Sequence, residues 1–516
     1  MASKHEGRWR SYQPNVPGRG IVAGYSARFW TLVVLLGIAT GIAASVLFAL
    51  LRLTEHLAYG YAKGPFLDGV TAASGGRRVV ILLLAAGIVA LGVAVLHRLP
   101  TSGGTEVAES LWLRSGRLAL VPSLARAVLS IVTVGMGVSL GREAAPQLAG
   151  GAFASRISDW AQLPIWQRRL LVASGAGAGL AAVYNVPLGG ALFALEVLLG
   201  TLALSLVLPA LAVSVIATAI AWVTLGTART YHMPVYNLHP AQMVWAVLAG
   251  PLIGVAAVAW VRIIQLAHAM RPKQRGRYIA PVIVFGLLGV VSIRYPELLG
   301  NGKGIIQVAI VGGLSLGLSA VLLVLKPLAT AACLGAGSPG GLFTPTLTIG
   351  VLLATVLSAI WSHIWPHTIP ASYELIGGGA FLAASMQAPL CSVVLVLELT
   401  RHFDLLMAPT LVAVTLATVI ARRLGAPSIY SARLRPESYT GVLPIDAATV
   451  EALDAGDDAL PPRDQDEVSW PDDEQGSPAH DDHSGRSRAS DSDARRATDH
   501  EQLHVRGRKP PVPPDK

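Results

Sequence analysis

The chain has 516 residues, of which 53% are hydrophobic and only 14% charged, and its mean hydropathy is +0.54. A soluble domain carries nearer a quarter charged residues, so this composition excludes a soluble enzyme or a nucleic-acid partner and reads as an integral membrane protein. Residues 437–516 hold 19 of the 31 acids and 9 of the 40 bases, a net of −10, which leaves the first 436 residues at +19. A membrane body this poor in acids attracts anions and repels cations, although the bias of basic residues toward cytoplasmic loops accounts for most of the excess.

Residues 1–28 are polar and basic, with Lys4, Arg8, Arg10, Arg19 and Arg28 against Glu6, which predicts a cytoplasmic N-terminus. The first apolar run, Phe29 to Leu51, is long enough to span and lacks a small-residue cleavage pattern, so it reads as a retained helix. Further apolar segments follow at roughly 78–97, 124–140, 168–183, 188–199, 203–225, 241–267, 279–294, 305–325, 341–362, 375–385, 388–400 and 406–424. Several are too short to cross a hydrocarbon core of about 30 Å in one piece. Others are broken by Pro in mid-run, as at Asn185-Val-Pro187 and Gln387-Ala-Pro389. Broken helices at membrane depth are tolerated only where the freed backbone lines a cavity or is buried in protein. The loop 271–277 carries four bases and reads as cytoplasmic, while Trp361, Trp365, His363 and His367 form an interfacial belt in preference to a metal site. Cys333 and Cys391 read as small buried side chains. From 436 to 516 the pattern gives way to Pro, Asp, Ser and Arg, the composition of a disordered cytoplasmic tail, in which His480 and His483 read as solvated.

An internal repeat is visible. Gly175 to Glu196 aligns with Gly377 to Glu398 at a constant offset, with Gly175/Gly377, Leu180/Leu382, Pro187/Pro389 and Glu196/Glu398 among the coincident pairs. Two halves with matching broken helices, approximately 29–225 and 241–424, predict a transporter or channel with its site where they meet.

Four segments carry candidate chemistry. Gly135 to Pro146 sets Glu143 beside Arg142 after several glycines. A carboxylate at membrane depth costs roughly 2.5–3.5 kcal/mol on insertion scales and so marks function. Thr101-Ser-Gly-Gly-Thr105 offers Ser102, either a helix N-cap or an anion donor. Gly335 to Pro345 is a second Gly-rich entry into an apolar helix, where consecutive N–H groups and the helix dipole favour an anion. Tyr430 follows the last apolar run and reads as an interfacial tyrosine or as a phenol donor to an anion.

These segments together resemble the CLC family of voltage-gated chloride channels and chloride/proton antiporters, over roughly residues 29–435. Ser102-Gly103 resembles the first anion-binding motif of that family, Gly141-Arg142-Glu143 the gating motif, and Gly341-Leu342-Phe343-Thr-Pro345 the third; Tyr430 fits the expected order. The resemblance implies an all-α polytopic fold, a CLC-type inverted repeat of tilted and broken helices, followed by the disordered tail. It implies a homodimer with one pore per subunit, in a bacterial plasma membrane with both termini cytoplasmic. Chloride or a similar anion is the cargo, with no other cofactor and no metal. By position, Ser102 and Tyr430 would give hydroxyl donors to the central anion, the N–H groups of Leu342 and Phe343 would support it, and Glu143 would be the gate.

The sequence departs from the family pattern in three places. Ala144-Ala145 stand between Glu143 and Pro146 where the family has Gly-Pro, and the first motif reads Thr-Ser-Gly-Gly-Thr. Val197 stands where well-coupled antiporters resemble one another in a second glutamate. Glu196, beside it, matches a glutamate of both classes and is the candidate alternative proton relay. The expectation is therefore a passive or weakly proton-coupled chloride conductor. The alternative is a chloride/proton antiporter with a non-standard inner relay. A remote third reading, a membrane scaffold or intramembrane enzyme, finds neither a zinc-type motif nor a serine dyad.

Overall fold

The computed structural model describes residues 25–99, 106–234, 239–365 and 370–434, so Ser102, Gly103, His367 and the tail lie outside the described residues. Seventeen α-helices run through them. The first half contains α1 (Ala27–Tyr59), α2 (Phe66–Ala72), α3 (Gly75–Leu96), α4 (Val107–Leu113), α5 (Leu120–Gly135), α6 (Ala144–Trp160), α7 (Ile165–Tyr184), α8 (Pro187–Leu192) and α9 (Leu204–Leu225). The second contains α10 (Pro240–Ala269), α11 (Gly276–Arg294), α12 (Lys303–Ile310), α13 (Leu316–Gly335), α14 (Phe343–Ile364), α15 (Pro370–Met386), α16 (Pro389–Thr400) and α17 (Phe403–Arg423). Eight are long and apolar enough to cross a membrane, and large apolar side chains such as Leu57, Leu91 and Val223 stand exposed on them. Such faces are stable only against lipid or another protein.

The predicted run 305–325 is in fact two helices. Gly312, at φ 73°, turns the chain after α12, and Ser315 caps α13 by accepting from the Leu318 N–H. Three helices escaped the apolar-run reading. The two seven-residue ones, α2 and α4, are too short to register. Helix α6 is rich in Gly, Ala and Ser and buried on most sides, so it lacks the hydropathy of a lipid-facing span.

The repeat extends further than the aligned segment. Gly37 and Gly41 of α1 pack on Val213, Ile216, Ala217 and Ile220 of α9. Gly250 and Gly254 of α10 pack on Ala413, Leu416, Ala417 and Ile420 of α17. The partner positions correspond one for one between the halves. Small residues four apart let two backbones approach closely, the main source of helix cohesion where lipid removes the hydrophobic drive.

The two broken helices also match in geometry. Asn185 ends α7 at φ 57° and Gln387 follows α15 at φ 61°, each just before the Pro-started helix of its half. Each of those helices ends in a glutamate that caps the other. Glu196 accepts from the N–H groups of Leu390 (3.2 Å) and Cys391 (2.6 Å), and Glu398 from those of Leu188 (3.1 Å) and Gly189 (2.6 Å). A carboxylate on exposed N–H groups of a helix start satisfies donors that would otherwise be orphaned. The halves differ in one detail. From Phe193 to Leu199 the first is π-helical, and its left-handed cap comes at Gly200, whereas the second is α-helical and caps at Arg401. The first half therefore holds one extra residue between glutamate and cap, and the wider π turn absorbs it.

Candidate functional site

The site forms where two Gly-rich turns meet. Gly137 (φ 98°) and Gly337 (φ 90°) take left-handed backbone that side-chain-bearing residues rarely adopt, and each turns its chain out of a helix, α5 and α13 respectively. Four residues later the chains pair: the Gly141 N–H donates to the Gly341 carbonyl at 2.7 Å, and the Gly341 N–H to the Gly141 carbonyl at 2.8 Å. A methyl group on either glycine would overlap the Glu143 carboxylate. The first turn is braced from behind. Tyr59 donates to the Met136 carbonyl (2.8 Å), and Gly300 donates to that of Gly137 (2.9 Å). The wholly buried Lys326 in turn donates to the carbonyls of Leu298 (3.0 Å) and Gly300 (2.7 Å).

Glu143, 1% exposed, caps this junction. Its Oε1 accepts from the Phe343 N–H at 2.8 Å, at the N-terminus of α14, and its Oε2 accepts from the Thr344 and Tyr184 hydroxyls, each at 3.1 Å. Three donors thus converge on one carboxylate in a buried setting, one of them a backbone amide at a helix start. Such a donor set favours an anionic group.

The remaining candidates are distributed around it. Leu342 and Tyr430 line a cavity of about 80 Å³ together with Glu143, Ser130, Gln147 and Ser338. Within it the Ser130 and Ser338 hydroxyls and the Gln147 Nε2 are buried without a hydrogen-bond partner among the described residues, the condition of groups waiting on an ion or water. Tyr430 is held edge-on by Phe193 (5.6 Å between centroids). Arg433, 5.7 Å from the centroid of its ring, is ion-paired with Glu106 at 2.8 Å. Arg126 and Arg271 line this cavity and also a basin of about 420 Å³ beside it, whose wall includes Pro272 and Arg277 of the basic loop.

Arg142 faces the other way. Its guanidinium lies between the rings of Phe48 (4.9 Å) and Tyr184 (5.1 Å) and lines a third cavity, also of about 420 Å³, that shares no residue with the other two. The neighbouring residues Arg142 and Glu143 therefore line separate cavities. The Gly141 N–H is taken up by Gly341, so its contribution is the tight turn and the bare backbone over the carboxylate. Tyr184 and Thr344, which complete the carboxylate's donor set, were not singled out from sequence. Both sit inside motifs that were: Tyr-Asn-Val-Pro187 and Gly-Leu-Phe-Thr-Pro345. A hydroxyl in an apolar, Gly-rich segment was the available signal. Glu196 is committed to capping α16, and Val197 beside it is buried at 6% exposure. Among the described residues no group of three or more His, Cys, Asp or Glu is placed to hold a metal, and both cysteines are free and buried.

Comparison with known proteins agrees with this geometry. The family model described as voltage gated chloride channel matches residues 82–422. A putative chloride channel protein ClcB-like from Ralstonia nicotianae is 32% identical over 66% of this chain and 81% of its own length. The voltage-gated ClC-type chloride channel ClcB of Salmonella typhimurium is 29% identical over 77% of this chain and 97% of its own. The H(+)/Cl(-) exchange transporter ClcA of Vibrio campbellii is 32% identical over 58% and 66%. Among solved structures, a slow cyanobacterial Cl-/H+ antiporter superposes with a TM-score of 0.71 at 21% identity, over 81% of this chain and 99% of that one.

Proposed function

This chain belongs to the voltage-gated chloride channel family, and from that premise we propose that it carries chloride across a membrane as a passive or weakly proton-coupled conductor gated by Glu143. The observation that carries the reading is the buried Glu143 carboxylate seated on the Phe343 N–H and the Thr344 and Tyr184 hydroxyls, in the wall of the cavity that Tyr430 also lines. When ionised, the carboxylate competes with chloride for those donors. When protonated, or displaced by an arriving anion, it leaves them free. Ser102 and Tyr430 complete the central anion site in this reading, with the Leu342 and Phe343 amides.

Weak coupling follows from Val197, which offers no titratable group, and from Glu196, whose two oxygens are held by backbone N–H groups. The second reading, an antiporter with an inner relay through Glu196 or water, draws on the exchanger name of the Vibrio relative. The reversal potential of purified protein in liposomes, under opposed chloride and pH gradients, separates the two. A value at the chloride equilibrium potential whatever the pH gradient marks the conductor. Displacement toward the proton equilibrium potential marks the antiporter. Glu143→Ala is expected to remove acid-dependent gating and any coupling, and acid sensitivity persisting in chloride efflux would dismiss Glu143 as the gate. In keeping with the family, the protein is proposed to act as a homodimer in a bacterial inner membrane with both termini cytoplasmic. Native mass spectrometry and cysteine labelling from either side test those two points.

A further inference from the structure

The cavity that Arg142 faces is rich in bases, three of them guanidinium forks. Arg52, Arg142, Arg229 and Lys303 line it against two carboxylates, Glu55 and Glu297. The guanidinium groups of Arg52 and Arg142 each stand 4.9 Å from the centroid of the Phe48 ring, so one phenyl group holds both. Lys303 lies within electrostatic reach of both arginines and of Glu55. Lys303 also begins α12, and its amide is satisfied by the Asn301 side chain (3.1 Å). Glu55 is engaged by the Tyr61 hydroxyl at 3.2 Å.

Two donors in this wall are unused. Arg142 is 8% exposed, and its Nε has no hydrogen-bond partner among the described residues; the Asn301 Nδ2 is likewise buried and without one. A buried N–H with no acceptor is costly in a folded protein, and the rest of the Arg142 guanidinium is bonded to Tyr184, so Nε is the arginine donor left over. Chloride is a poor match. It is one spherical acceptor, whereas guanidinium forks favour an anion with several oxygens that can each receive an N–H. The volume of about 420 Å³ is that of a small-molecule site and admits an anion larger than a halide.

We propose that this cavity binds a tetrahedral oxyanion of the sulfate or phosphate class, free in solution or carried on a lipid headgroup, through Arg52, Arg142, Lys303 and the Asn301 amide. Seated there, the oxyanion lies against the residue next to the Glu143 gate and hinders chloride passage from that face. The binding claim stands apart from the transport reading, because it concerns a separate cavity and is read without flux.

Calorimetric titration of sodium sulfate into the purified full chain, in a phosphate-free detergent and a gluconate background, tests it. Saturable sulfate binding is expected. The double substitution Arg52→Gln/Lys303→Gln should weaken it at least about tenfold, the effect of losing one or more charge-assisted hydrogen bonds. Glu55→Gln should strengthen it by removing the opposing charge, a gain that misfolding would not produce. Chloride binding should stay unchanged in the double variant, since neither residue lines the cavity of Glu143 and Tyr430. Absence of saturable sulfate binding in the unaltered protein overturns the proposal. So does binding that neither the double variant nor Glu55→Gln alters. Adding phosphatidylglycerol to the titration identifies the source: competition with sulfate assigns the site to a lipid headgroup, and independence assigns it to the free anion. Sulfate added to chloride-loaded liposomes should slow efflux in the unaltered protein and leave the double variant unaffected.

Discussion

At the scale of single residues, the proposed gate is a contest between one carboxylate and one anion for the same N–H and O–H donors. Tyr184 holds the carboxylate in place in this reading, because its hydroxyl donates to Glu143 Oε2. Tyr184→Phe removes a hydrogen bond to a charged group, worth about 1.5–3 kcal/mol. We expect the closed state to weaken, so that chloride efflux at neutral pH rises roughly tenfold and responds less to acid. Efflux unchanged across the pH range would mean that the phenol only packs. On the other side of the gate, Arg433 couples the Tyr430 turn to the segment just after the Ser102 motif, through two contacts with Glu106 (2.8 and 3.2 Å). The Arg433 side chain is 9% exposed and that of Glu106 33%. Removing either partner leaves the other partly buried and unpaired. Arg433→Glu should therefore weaken chloride binding in calorimetry, and the exchanged pair Glu106→Arg/Arg433→Glu should recover most of it. Failure of the exchange to recover affinity would reduce Arg433 to a free basic residue of the vestibule.

At the scale of elements, the two halves use the same contacts, and this decides what sequence can reveal. The broken helices at 175–196 and 377–398 were readable because Pro, Gly and Glu recur at matching places, and their positive-φ turns at Asn185 and Gln387 follow from the same pattern. Glycine pairs such as Gly37 with Gly41 were not readable, since two small residues in an apolar run look alike whether they face lipid or another helix. Glu143 was legible as a lone acid among glycines, but its donors Tyr184 and Thr344 arrive from other segments, and only tertiary structure joins them. The split of 305–325 into α12 and α13 was hidden because a Gly-Gly turn is short and apolar residues flank it. The matched packing makes a direct prediction. A Cβ on Gly254 would lie 2.6 Å from the Ala417 carbonyl oxygen, and one on Gly41 2.7 Å from that of Ala217. Gly254→Leu and Gly41→Leu should each destabilise the fold by about 1–3 kcal/mol, the usual cost of overpacking. Gly317→Leu, in open space, should not. Thermal unfolding in detergent distinguishes them: a lowered midpoint in only one of Gly254→Leu and Gly41→Leu would dissolve the claim that the two contacts are equivalent, and midpoints no lower than that of Gly317→Leu would dissolve the claim that they are tight.

At the scale of the whole molecule, charge separates the chain into a basic body and an acidic C-terminal stretch, +19 over residues 1–436 and −10 over residues 437–516. Every residue assigned here to gate, vestibule or oxyanion cavity lies before residue 435, and the basic groups that face solution, Arg126, Arg271 and Arg277 among them, line a basin open to mobile anions. Chloride arriving at such a basin is drawn by a field that salt screens within about 8 Å at physiological ionic strength. Acidic charge alters that field only over a similar length, which grows as salt falls. Deleting residues 440–516 should therefore leave efflux at 150 mM salt within about twofold of the intact chain, since nothing in the pathway is removed and the remaining field is screened. At about 10 mM salt the screening length grows to about 30 Å, and the truncated chain should then take up chloride faster than the intact one, because a net of nine negative charges has been removed. A salt-independent loss of transport on truncation would instead give the acidic stretch a structural task in the body. A salt-independent gain would make it a plug that occupies the basin itself.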